Sequence, residues 1–469
     1  MVFSTPIFLY GFLPLALAVY YLLPRRARNG WLVAASYFFY GWGNPLYVLL
    51  LLFSTLLDFG CGLGIAKSDS RARRLCLLWC SIVGNLGVLA FFKYSGFFAQ
   101  VSHDLVGVPG AETLLLAGGI VLPLGISFYT FQSLSYTIDV YRREIEPTRR
   151  FIDFAAYVAL FPQLVAGPIV RFSQLAAALR ERRETRTQFN QGVGFLVIGL
   201  SKKLLLANPC GSVADLAFGS AELDVLTAWI GMLAYSFQIY FDFSGYSEMA
   251  IGLGLMLGFV LPPNFKAPYR ATSLSDFWRR WHITLGSWVR DYLYHPMGGS
   301  RRGPGRTTMN LFLVMVLVGL WHGAAWQFLV WGALHGLFLG LERAMRARFS
   351  KWRKTPPAVF QVLFTFVVVS LCWVVFRADS LGEAGDYYAA LFGGLELVGP
   401  DWWTRSLILS WETGAILVGA ALVTWMGVSA SQFVVDSKGW KWFVLTVLFW
   451  SCLIAMGAQE GNPFLYYFF

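Results

Sequence analysis

The sequence predicts an all-α, polytopic integral membrane protein of about ten to twelve transmembrane helices, with re-entrant and amphipathic segments between them. Three observations carry this. The 469 residues are 57% hydrophobic and only 13% charged, with a mean hydropathy of +0.57, whereas soluble domains carry about 25% charged residues. Apolar runs of spanning length recur from one end to the other, at 7–23, 45–66, 75–99, 228–259, 360–376, 413–426 and 443–456 among others. Between the runs, the net charge of +11 collects in short basic clusters at 25–28, 67–74, 142–150, 180–186, 301–306 and 343–354, the pattern of loops that stay on the cytoplasmic side near anionic headgroups.

The clusters order the elements. Run 7–23 has neither a basic n-region nor a small-residue cleavage site, so it reads as a retained helix rather than a signal peptide. Clusters 25–28 and 67–74 both belong to the cytoplasm, so the chain between them crosses twice, with GWGNP (41–45) as the turn. The N-terminus is then periplasmic. Run 75–99 crosses outward to a loop at 102–113 that holds His103 and no lysine or arginine, and 114–141 returns. Segment 151–169 is flanked by basic residues and broken by Pro162 and Pro168, which suits a re-entrant piece better than a span. Run 189–206 leads out to an acidic patch at 215–224, and 228–259 comes back. The later acidic patch, 379–401, and the C-terminus fall outside.

Run 309–340 is different. It too has basic flanks on both sides, but its helical contour is about 48 Å, while two crossings of a hydrocarbon core about 30 Å thick need about 60 Å. It therefore forms a short hairpin whose bend lies within the depth of the membrane. His322 sits at that bend, in GLWHG (319–323), where two glycines allow close backbone approach. The GxxxG spacings in GLGLMLG (252–258) and GLFLG (336–340) read as helix-packing faces.

Several function classes fall away. No nucleic-acid module or continuous basic groove accompanies the positive charge. The six cysteines, Cys61, Cys76, Cys80, Cys210, Cys372 and Cys452, show neither CxxC pairs nor zinc spacing and read as structural thiols, so no metal is expected. A GxSxG elbow, a P-loop and an HExxH helix are all missing. What remains is a set of ionisable groups in costly places, which in a membrane protein mark a working site. Segment 275–299, SDFWRRWHITLGSWVRDYLYHPMGG, crowds Asp276, Arg279, Arg280, His282, Arg290, Asp291 and His295 among aromatic rings. His282 lies 40 residues before His322. An imidazole kept neutral by burial is a competent general base for a hydroxyl attacking an ester or thioester. The competing reading of 277–294 is an amphipathic interfacial helix, with Trp278, Trp281, Leu285 and Trp288 at helical spacing. His295 and His335 read as structural or interfacial groups.

FWRRWH-x-TL-xx-WVRDYLY (277–294), the glycine pair Gly298–Gly299 and LWHG (320–323) together resemble the signature of the membrane-bound O-acyltransferase family, and within it the bacterial alginate O-acetyltransferase-like branch. The opening MVFSTPIFL with ASYFFYGW, LPLGISFYTFQSLSYTIDVYR (122–142), FPQLVAGPIVRF (161–172), YFDFSGYSEMAIGLG (240–254) and NFKAPY (264–269) extend the likeness from residue 1 to about 345. The resemblance implies one integral membrane domain over 1–469, with a ring of helices around a thin centre and funnels from both sides meeting at the essential histidine. That histidine falls on His322 and the second motif histidine on His282. It also implies transfer of an acyl group from a cytosolic donor to an extracytoplasmic polysaccharide or to a periplasmic SGNH-type acetyltransferase partner, in the bacterial inner membrane.

The expected chemistry is O-acetyl transfer with acetyl-CoA as co-substrate and no bound cofactor. Arg279, Arg280 and Lys266 are candidates for its phosphates, against a headgroup-anchoring role for the two arginines. Trp281, Trp321 and Asp291 are candidate funnel-lining groups. Asp242 and Glu248 either line the funnel too or pair with Arg279 or Lys93. Two rivals stay open: a non-catalytic translocation or scaffold component, and an O-acyltransferase acting on lipid or protein.

Overall fold

A computed structural model describes residues 1–106, 122–220, 223–348, 356–394, 402–427, 429–435, 439–458 and 464–465. They are helical throughout, with no strand among the described residues. The chain packs as two compact units, Met1–Leu196 with Met249–Pro262, and Val197–Glu248 with Pro263–Phe469.

The first unit holds α1 (Ile7–Leu22), α2 (Arg25–Gly41), α3 (Tyr47–Lys67), α4 (Arg71–Val106) and α5 (Ile126–Arg142). Three short helices follow, α6 (Phe151–Ala159), α7 (Phe161–Leu164) and α8 (Phe172–Arg180). The unit also takes the first turns of α9 (Arg186–Phe218) and the last turns of α10 (Val225–Met256). Helix α6 rises only about 13 Å, too short to cross a hydrocarbon core, and the chain breaks at Leu160 before Pro162. Almost every residue from Phe154 to Val170 is buried, as expected of non-spanning backbone covered by protein. Polar side chains join α3, α4 and α5. The Asn85 amide donates to both oxygens of buried Asp58 at 2.9 Å, Ser81 donates to Asp58 at 2.6 Å, and Thr137 meets Ser81 at 2.9 Å. At Gly192 and Gly252 the backbones of α9 and α10 nearly touch. A Cβ on Gly192 would come within 2.6 Å of the Gly252 carbonyl oxygen, so Gly252 serves packing, whereas Gly258 lies past the end of α10 at φ 80° and is a turn glycine.

The second unit contains the rest of α9 and α10, then α11 (Leu274–Arg280) and α12 (Ile283–Val289). Next come α13 (Pro304–His322), α14 (Trp326–Arg348) and α15 (Ala358–Arg377). It closes with α16 (Leu381–Leu391), α17 (Trp402–Ile408), α18 (Trp411–Met426), α19 (Ala430–Val435) and α20 (Gly439–Ala458). Helices α13 and α14 form a hairpin, as read for run 309–340, but not the short one expected: α13 alone, at 19 residues, is long and apolar enough to cross a membrane, because the helices extend from Pro304 to Arg348. Gly303 has φ 85°, open to glycine, and Pro304 at the first turn sets the helical φ. The antiparallel pair closes on glycines, because Cβ atoms on Gly319 and Gly332 would overlap the carbonyl oxygens of Phe328 and Met315.

Seven helices among the described residues are long and apolar enough to cross a membrane: Tyr47–Lys67, Arg71–Ala99, Arg186–Phe218, Pro304–His322, Ala358–Arg377, Trp402–Met426 and Gly439–Ala458. This is fewer than the ten to twelve spans expected. The difference lies in α1 and α5, which are shorter, and in α10 and α14, whose apolar runs are interrupted by Gln238, Asp242 and Glu248 and by Gln327, His335 and Glu342. Residue 103, expected in a loop, falls inside α4. The rest of that loop lies mostly outside the described residues, as do residues 395–401 of the 379–401 acidic patch.

Candidate active site

All of the polar residues singled out at 242–335 belong to the second unit. His322 is the last residue of α13 and is 4% exposed. The chain turns at Gly323, which is extended and so close to Phe328 that a Cβ there would overlap its ring. The turn therefore fixes where the imidazole points. Its ring centroid lies 4.8 Å from Trp321, 5.3 Å from Trp331 on α14 and 5.3 Å from Phe376 on α15.

His282 reaches the same place by another route. The amphipathic helix of the competing reading is broken at His282. Ser273 caps α11, its hydroxyl accepting from the Asp276 N–H at 3.2 Å, and α11 ends at Trp281. His282 then takes φ 45°, ψ 54° before α12 begins, a left-handed conformation uncommon for any residue but glycine. The segment holding Asn264 and Lys266 keeps it there. The Ile283 N–H donates to the Asn264 carbonyl at 2.9 Å and the Lys266 N–H to the Arg280 carbonyl at 2.9 Å. The Thr284 hydroxyl donates to the Asn264 side-chain oxygen at 2.9 Å. His282, 1% exposed, packs 4.8 Å from Phe243 on α10 and 6.0 Å from Trp321. Two imidazoles from motifs far apart in sequence thus flank one indole.

The aromatic shell continues to a third imidazole. His335 is fully buried, its ring 4.9 Å from Trp331, and its Nδ1 accepts from the Trp278 indole N–H at 3.3 Å. That bond requires an unprotonated Nδ1, so the neutral ring carries its proton on Nε2. His335 had read as structural. Its place beside Trp331, which also touches His322, follows from the antiparallel register of α13 and α14. Asn264 was overlooked as well, although the NFKAPY stretch containing it stood out.

The other candidates fall into three groups. Trp281 is 2% exposed, among Phe265, Tyr269, Phe277 and Trp373 at 5.1–6.2 Å, and Trp321 is 7% exposed between the two histidines. Lys266 and Arg280 adjoin through a backbone hydrogen bond at the His282 turn, while Arg279 is exposed and turned to its own helix. There Arg280 Nε pairs with Asp276 at 3.0 Å, its Nη1 donates to the Lys266 carbonyl at 3.4 Å, and Arg279 Nε donates to the Ser275 carbonyl at 3.2 Å. Asp291 lies apart, against Arg290 at 3.0 Å and His295 at 3.7 Å.

Asp242 and Glu248 do not pair with Arg279 or Lys93. Lys203 Nζ meets Asp242 at 2.6 Å and Lys202 Nζ meets Glu248 at 2.6 Å. Consecutive lysines reach one neighbouring helix because α9 widens into a π-helical stretch over Lys202–Ala207. Gly245, between the two acids, lets the backbones close up: a Cβ there would lie 2.7 Å from the Gly199 carbonyl oxygen. Asp242 also accepts from the Leu465 N–H at 2.8 Å. The ring of Phe464 stacks on Tyr246 at 4.4 Å and lies 6.3 Å from Phe243, the residue that packs on His282.

Residues 142–378 match the membrane-bound O-acyltransferase family, MBOAT. The chain is 39% identical to "Probable alginate O-acetylase AlgI" of Pseudomonas putida, over the whole of both chains. It is 38% identical to "Peptidoglycan O-acetyltransferase" of Helicobacter pylori, over 82% of this chain and 78% of that one. It is 27% identical to "Teichoic acid D-alanyltransferase" of Bacillus subtilis, over 49% of this chain and 60% of that one. With the match spanning half of the sequence and the first identity running its full length, the chain belongs to the membrane-bound O-acyltransferase family and is an O-acyltransferase.

Proposed function

We propose that this protein takes acetyl groups from acetyl-CoA on the cytosolic side of a bacterial inner membrane and passes them outward to a polysaccharide hydroxyl. The acceptor is reached directly or through a periplasmic SGNH-type acetyltransferase. The observation that carries the reading is His322 at the tip of a membrane hairpin, sharing Trp321 with His282. The likeness to proteins named for acetylation of alginate and of peptidoglycan supports a polysaccharide acceptor. The teichoic acid D-alanyltransferases support acyl delivery to cell-envelope polymers in general.

In the proposed step, His322 takes the proton of the acceptor hydroxyl as its oxygen attacks the thioester carbonyl carbon. The carbon–sulfur bond breaks, and the imidazolium returns the proton to the leaving thiolate, so an ester and free CoA are formed. His282, held by Asn264 and Thr284, orients the reactants beside the shared indole. Lys266, Arg279 and Arg280 form the cationic edge suited to the donor's phosphates.

Inverted membrane vesicles from a polymer-producing strain test this. Acetyl-CoA labelled in the acetyl group, added outside the vesicles, is expected to leave label in lumenal polymer or in the periplasmic partner, and only when this protein is present. Label that reaches lipid alone, or polymer labelling that persists without the protein, contradicts the assignment.

A further inference from the structure

The first unit carries a feature that the acyl-transfer reading does not use. A cavity of about 450 Å³ lies at the start of α2 and the end of α8, and its lining includes seven arginines and two glutamates. Its floor is neutralised. Glu184 accepts from Arg28 at 2.7 Å and from the Tyr20 hydroxyl at 2.7 Å, while Arg182 donates to Asn29 at 2.6 Å. Burial alone would raise the Glu184 carboxyl, but the hydrogen bonds from Tyr20 and Arg28 outweigh it and hold the group below its ordinary value. The rim is not neutralised. Arg25, Arg26, Arg180 and Arg183 are exposed and have no carboxylate partner among the described residues.

A second cavity, of about 550 Å³ and almost wholly apolar, runs between α1 and α2 and is lined by Gly11, Phe12, Leu15, Trp31, Ala35 and Phe38 among others. The two cavities share α2. Arg28, Trp31, Ala35, Phe38 and Trp42 follow one another at three- and four-residue steps, so they lie on one helix face. From Arg28 to Phe38 the helix rises about 15 Å, which is half of a hydrocarbon core about 30 Å thick, or one leaflet. Trp31 marks the boundary, its indole N–H donating to the Ala16 carbonyl at 3.0 Å.

We propose that this unit holds one anionic phospholipid, with its phosphate in the arginine pocket and an acyl chain along the α1–α2 cleft. The excess of guanidinium groups selects an anionic headgroup, since paired N–H donors match phosphate oxygens. The adjoining apolar cleft of one-leaflet depth selects a lipid over a soluble phosphate. A neutral headgroup would leave the rim charge uncompensated.

Native mass spectrometry of the purified full-length protein, offered phosphatidylglycerol and phosphatidylcholine at equal mole fraction, reads the preference. Wild type is expected to retain phosphatidylglycerol roughly tenfold over phosphatidylcholine, because the rim guanidinium groups attract an anionic headgroup. Arg26→Ala/Arg180→Ala/Arg183→Ala is expected to erase the preference, with an unchanged melting temperature because these side chains hold no ion pair. Gly11 lines the cleft and no atom lies within 4 Å of a Cβ there, so Gly11→Phe is expected to occupy the cleft and reduce retention of both lipids. Equal retention of the two lipids by wild type, or a preference that survives the triple variant, overturns the proposal. Displacement of lipid by inorganic pyrophosphate with Gly11→Phe silent points to a soluble-anion site and overturns it as well.

Discussion

His282 has φ 45°, in a region that strains any residue with a Cβ by about 1–2 kcal/mol. The molecule accepts this strain where two chain segments hydrogen-bond around the turn, at Asn264 with Ile283 and at Lys266 with Arg280, and strained positions of this kind gather at functional sites. A prediction separates backbone from imidazole. His282→Gly should be more stable than His282→Ala by about 1 kcal/mol in thermal unfolding, because glycine adopts the conformation without a Cβ. Both variants should lose acyl transfer. An alanine variant at least as stable as the glycine one would show that the turn is not held as described. Nothing in the local sequence announced this break: WRRWHI contains no glycine or proline, and the periodicity of Trp278, Trp281, Leu285 and Trp288 argued for one continuous helix. The turn is imposed by Asn264, which lies 18 residues earlier and on a separate segment.

The α13–α14 hairpin is the element on which the site depends, and it works through glycines rather than through chemistry. Gly319→Ala should destabilise the protein by about 1–3 kcal/mol, the usual penalty of overpacking. It should also cut activity, because the Phe328 carbonyl oxygen occupies the space a methyl needs and His322 is three residues away. Gly305→Ala, at the other end of α13 with open space around it, should leave melting temperature and turnover unchanged. Equal behaviour of the two variants would mean that close approach at the bend does not position His322. The hairpin and its buried histidine were legible in the sequence from the basic flanks and the two glycines around His322, whereas the shortness read from run 309–340 did not hold, since α13 begins at Pro304 and α14 runs to Arg348. The pairing of Lys202 and Lys203 with Glu248 and Asp242 was not. It depends on a π-helical widening and a backbone approach at Gly245, neither of which leaves a periodicity to read. That His335 and His322 share Trp331 was not legible for a similar reason, being a matter of register between two helices.

For the whole molecule, hydropathy and basic clustering were enough to predict an all-α membrane protein; among the described residues seven helices are long and apolar enough to cross, while polar side chains interrupt others such as α10. The orientation deduced from the clusters is open to test. In a background lacking the six native cysteines, Arg348→Cys should label from the cytoplasm and Asp379→Cys from the periplasm, since α15 crosses between them and basic residues bias loops inward. Labelling of both from one side would overturn the proposed path of the acetyl group. The central claim is that the imidazole at the hairpin tip performs the transfer, and its most direct measurement is acetyl-transfer rate against membrane insertion for His322→Ala. Normal insertion and purification are expected, with a rate lower by about 10²–10⁴, the usual loss of a general base. Polymer acetylation near the wild-type rate by a well-inserted His322→Ala protein would contradict it.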